Sequence, residues 1–117
     1  STEYIKIAKE VGVHKPEEVR ILHAKSIPFP EEPLLRQAAI NTGMLGPTTR
    51  GLTLGYSIYI IDRNENTRLI SHELRHVYQY EQFGSIEAFL AEYLKQIVEF
   101  GYLDAPLEID ARNHEVH

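Results

Sequence analysis

Residues 72–76 read His-Glu-Leu-Arg-His, inside a stretch whose apolar residues recur at helical spacing. Positions i and i+4 project from one face of an α-helix, so the imidazoles of His72 and His76 can meet a single ion. Neutral imidazole nitrogen is a good zinc ligand, and tetrahedral zinc with three protein ligands keeps a place for water. Glu73 adjoins the first histidine on the same side of the helix. It can reach such a water without occupying the metal, which is what a general base for metal-activated water needs.

Two histidines on a helix can also be part of a plain polar face. With six His and fourteen Glu in the chain, a chance match to this pattern is an event of roughly a few per cent. The surroundings favour the metal: Leu69, Ile70, Leu74 and Val77 make part of the helix a core element, and ligands must be held rigidly. A third protein ligand is still required. Glu108, Asp110, His114 and His117 are the downstream candidates, whereas His14 and His23 show no ligand spacing. A tyrosine hydroxyl can stabilise the oxyanion of a tetrahedral intermediate. Of Tyr56, Tyr59, Tyr78, Tyr80 and Tyr102, the last is favoured because it lies just before the Glu108 segment; the others read as core or rim aromatics. Gln79, near one turn past His76, either orients a ligand or is a solvated helix residue.

The elements that must position these groups are legible in outline. Residues 3–11 have helical spacing and stop at Gly12, and Val19, Ile21 and His23 alternate weakly as a strand. Ile27-Pro28-Phe29-Pro30 is a rigid connector, residues 31–42 suggest a helix, and Gly43, Gly46 and Pro47 open a loop. Leu52 to Ile61 is the clearest strand, interrupted by Gly55, which suggests a bulge or a close backbone approach. A polar turn over Asp62 to Asn66 leads to a helix from about Arg68 to Phe83, capped by Asn66 or Thr67 and closed by Gly84. Ser85 caps a helix over 86–100 that stops at Gly101, and Pro106 opens a last helix over about 106–116. This order of helices and strands predicts an α+β fold, with 1–117 as a single domain.

The net charge of -5 argues against nucleic acid, whose binders carry a basic stripe. Absence of cysteine removes disulfides, Cys-based zinc sites and Cys nucleophiles. No apolar run approaches the ~20 residues of a transmembrane helix. No signal-peptide core is visible, which favours the cytoplasm, although the chain begins at Ser1 and leaves a removed leader open.

The stretch HELRHVYQ, the helix that follows it and GYLDAPLEIDA together resemble the minimal gluzincin-type zincin metallopeptidases, with a thermolysin-like active-site core, over about residues 50–112. In that family the HExxH helix is followed by a second helix bearing a Glu ligand, often in a Pro-x-Glu-x-x-Ala setting. The resemblance implies that Glu108, 32 residues after His76, completes the zinc site, and that the strand before the HExxH helix is the sheet edge above the metal. It further implies a mainly helical core with a small sheet, a peptide or protein substrate, and hydrolysis with Glu73 as the base. The chain departs from the family at Arg112. Many gluzincins have an Asp there, four residues after the ligand Glu, that hydrogen-bonds a ligand imidazole. Asp110 or a backbone carbonyl is the expected replacement. The alternatives are a catalytically idle zinc domain serving stability or partner binding, which has no need of Glu73, and a metal-free interaction module. A chain this short makes a shallow cleft, so a specific protein substrate or a second subunit in a homo-oligomer can complete it.

Overall fold

The computed structural model describes residues 2–25, 33, 36, 50–61 and 65–117. The expected connector over 27–30, most of the helix over 31–42, the loop after Gly43 and the first part of the 62–66 turn lie outside them; Pro33 and Arg36 are helical.

Helix α1, Thr2–Glu10, buries Ile7 and Ala8, and Val11 and Val13 continue that face past its end. Gly12 turns the chain there at φ +100°, and a Cβ on it would meet the Tyr78 ring at 2.9 Å. Pro16–Glu18 makes one 3-10 turn before β1, Arg20–Ala24.

The expected single strand over 52–61 is a hairpin. Strand β2, Gly51–Leu54, pairs antiparallel with β3, Ser57–Ile61, and Leu54 opposite Ser57 leaves a two-residue loop. Gly55 is the first loop residue, at φ +61°. A glycine there supplies the positive φ that lets a two-residue turn follow the strand twist, so it marks a reversal and not a bulge. Strand order is β1-β3-β2, with β1 parallel to β3. Among the described strands β2 is therefore an edge, as expected of this segment, while β3 is central and fully buries Ile58 and Ile60.

Helix α2, Thr67–Phe83, carries the HExxH sequence. The Asn66 side chain accepts from Leu69 N at 2.8 Å, satisfying one orphan amide of the first turn, and Gly84 ends the helix in the left-handed conformation. Helix α3, Ile86–Phe100, is capped by Ser85, which accepts from Ala88 N. Helix α4, Pro106–Asn113, is shorter than the expected 106–116. The chain leaves it early and turns back to α2, where Val116 N donates to Ser71 Oγ at 2.7 Å.

The described residues thus form an α+β fold of four α-helices and a three-stranded mixed sheet. Its apolar interior has two parts, one on each side of α2. Ile70, Leu74 and Val77 pack with α1 and β3, while Tyr80 packs with Phe89, Leu90, Tyr93 and Ile97 of α3. Helix α2 is consequently buried on most of its surface, and its histidines sit in a wall fixed from both sides. No helix among the described residues is long and apolar enough to cross a membrane.

Candidate metal centre

His72 and His76 lie one turn apart on α2 and are both buried. Helix α4 brings Glu108, 2 % exposed, between them. One carboxylate oxygen is 3.0 Å from His72 Nε2 and the other 3.2 Å from His76 Nε2. Ligand atoms of the three residues all lie within 4.8 Å of one another. Of the four candidate third ligands, only Glu108 joins this cluster. Asp110 pairs with Arg75, His114 Nδ1 turns back to the Asp110 carbonyl, and His117 is exposed.

The outer ring nitrogens settle which face of each imidazole is available. His72 Nδ1–H donates to Glu115 Oε2 at 2.7 Å, since a carboxylate can only accept. His76 Nδ1–H donates to Gln79 Oε1 at 2.7 Å. The Gln79 amide has one orientation, because its Nε2 donates to the Leu107 carbonyl and to Asp110 Oδ2, both acceptors. Asp110 is held in turn by Arg75 Nε at 2.8 Å, and Arg75 also donates to the Val11 carbonyl at the end of α1. Both Nε2 atoms therefore face Glu108. Tyr93 of α3 donates its hydroxyl to Glu108 Oε2 at 2.5 Å and fixes the carboxylate from the far side.

The electrostatics fit a cation. Burial works against a charged His76, but the hydrogen bond and negative charge of Glu108 outweigh it and hold the imidazole up to about 9. His72 is raised against its burial by the same partner. Burial pushes Glu108 upward, yet hydrogen bonds from His72 and His76 carry it well below the usual carboxylate range. A cluster that stabilises positive charge between its donors can exchange those protons for a metal ion. Two imidazole nitrogens and a carboxylate, each oriented by an outer partner, form a donor set that suits zinc.

Glu73 does not join the cluster. Thr53 of the edge strand donates to its Oε1 at 2.8 Å and to its carbonyl at 3.1 Å. The ion pairs here engage Glu108 and Glu115 and leave Glu73 out. Its carboxylate borders the same cavity of about 680 Å³ as the three donors. Tyr102 lies on the rim of that cavity, 46 % exposed, where burial and then the charge of Glu108 push its hydroxyl strongly upward.

Three contributors had escaped the sequence reading. Tyr93 falls among the regularly spaced apolar residues of α3, and no spacing distinguishes its hydroxyl from that of a core tyrosine. Glu115 fills the place expected of Asp110 or a carbonyl beside His72; Asp110 serves His76 instead, through Gln79. Glu115 lies just past the end of α4, beyond any periodic signal. Thr53 was detectable only as the polar residue between Leu52 and Leu54, a sign of a strand face turned to something polar.

No protein-family model matches the chain, and no curated protein or solved structure is significantly similar to it. The functional reading therefore rests on the geometry of this site.

Proposed function

We propose that this chain is a zinc-dependent hydrolase acting on peptide bonds, organised like the gluzincin-type zincins it resembles in sequence. The observation that carries the reading is the convergence of His72, His76 and Glu108 on one point, beside an acidic side chain that is not one of the donors. Zinc held by those three would acidify a water and polarise the scissile carbonyl.

The chain's own groups supply the rest. Glu73 takes a proton from the attacking water and hands it to the leaving amine. Thr53 fixes one Glu73 oxygen, and the transfer is assigned to the carboxylate so held. Tyr93 keeps Glu108 from rotating. Tyr102, on the rim, donates to the oxygen that gains charge on the substrate. In this reading β2, an edge among the described strands, pairs with an extended peptide by strand addition, which sets the scissile bond above the donors.

The discriminating experiment is Glu73→Gln. It preserves shape and removes the base, so zinc content and thermal stability should stay near wild type while peptide hydrolysis falls by at least ~100-fold. His76→Ala should lose zinc and hydrolysis together. Full turnover by Glu73→Gln would overturn the general-base role. Zinc binding with no hydrolysis of any peptide in a diverse library would favour the idle zinc domain.

A further inference from the structure

Arg75 lies between the two histidines in sequence but does not line their cavity. Its guanidinium is taken up on both edges and one face. Nε and one terminal nitrogen hold the two oxygens of Asp110, on α4, at 2.8 and 3.2 Å. The other terminal nitrogen donates to the Val11 carbonyl, just past α1, at 2.7 Å. The central carbon sits 3.9 Å from the centre of the Tyr78 ring. Gly12 leaves room for this stack, since a Cβ there would come within 3.2 Å of that second terminal nitrogen. A planar fork serves all three partners at once, whereas the single ammonium of a lysine cannot.

The carboxylate that Arg75 holds has a second duty. Asp110 Oδ2 accepts from Arg75 and also from Gln79 Nε2, at 2.9 Å. Gln79 in turn presents its Oε1 to His76 Nδ1–H. Asp110 has other places to go: its side chain is 35 % exposed, and His114 Nδ1 lies 3.5 Å from its Oδ1. Without the fork it can turn to water or to His114. Gln79 would then keep only the Leu107 carbonyl for its amide, and an amide pinned at one point can pivot. His72 is braced separately, by Glu115 and Arg68.

We infer that Arg75 is a positioning residue of the metal centre: acting through Asp110 and Gln79, it holds the His76 ring so that Nε2 stays turned toward Glu108. The inference rests on the metal reading and not on peptide hydrolysis.

The test uses the full chain with zinc as the only ligand. Arg75→Met keeps an unbranched apolar stem and removes every donor. Competition with a chelator should show zinc binding weakened by about tenfold, the low end of what outer partners contribute. In a Gln79→Ala background the same change should cost less than about twofold, because the route to His76 is already cut. Nitrogen-15 NMR of the imidazoles in the zinc-loaded protein gives a second readout. Exchange of the His76 Nδ1 proton should quicken in Arg75→Met, while that of His72 stays as in wild type. Should Arg75→Met fail to fold, the same cycle with Arg75→Lys, which keeps the charge and loses the fork, should give the same pattern. Unchanged zinc affinity on loss of the fork would overturn the inference. So would an equal loss with and without Gln79, or an equal effect on both ring protons, since the fold would then have loosened as a whole. Wild-type protein that binds no zinc would instead overturn the metal reading beneath it.

Discussion

His76 is oriented by an amide and His72 by a carboxylate, and the two outer partners have different origins. Glu115 charges the hydrogen bond to His72 and shares itself with Arg68. Gln79 is neutral, and its value lies in having a single orientation, imposed by Asp110 and the Leu107 carbonyl. Gln79→Ala should therefore free the His76 ring while leaving every ligand atom present. Such outer partners are worth roughly 10–100-fold in metal affinity. Competition with a zinc chelator should show a loss of that size, with the far-ultraviolet circular dichroism of the zinc-loaded protein unchanged. Unchanged affinity would mean that packing alone orients His76.

At the scale of elements, α2 depends on neighbours that contribute nothing to the chemistry. Glu65, just before it, accepts from the Tyr4 hydroxyl of α1 and pairs with His23 of β1 at 2.7 Å, tying the helix start to both. The Tyr4 hydrogen bond is the main cause that lowers the Glu65 carboxyl below its ordinary 4.5; burial opposes it and His23 assists. A carboxyl with a folded pKa below its unfolded value binds more protons when unfolded, so its stabilising contribution is present above about 4.5 and is lost as pH falls through the folded value. Urea unfolding of wild type and Glu65→Gln should accordingly differ at pH 7, with the variant weaker, and the gap should close in acid. A gap independent of pH would show that Glu65 acts through its shape. The capping residues Asn66, Ser85 and Gly84 were legible in the sequence because a cap is a local rule about a few adjacent residues. The hairpin was not, because Leu52 to Ile61 has no polar break and a lone Gly signals a bulge as readily as a reversal.

Across the whole molecule, what was legible follows the same division. His72, His76 and Glu73 are set by helical spacing, and the fold brings Glu108 to them as the family resemblance implied. Tyr93, Thr53 and Glu115 depend on how α3, β2 and the C-terminal segment pack around α2, and no window of sequence contains that information. The Arg112 departure shows the difference well. The sequence marks the missing acid, but only the fold shows that the chain turns back past α4 to supply Glu115. The central claim is that these elements build one metal centre from three residues, and its most direct test is a crystal structure with anomalous difference maps on both sides of the zinc absorption edge. The account predicts one zinc peak, bonded to His72 Nε2, His76 Nε2 and the Glu108 carboxylate at about 2.0–2.2 Å. An ion bound elsewhere, or a zinc-saturated crystal with no peak between these three side chains, would contradict it.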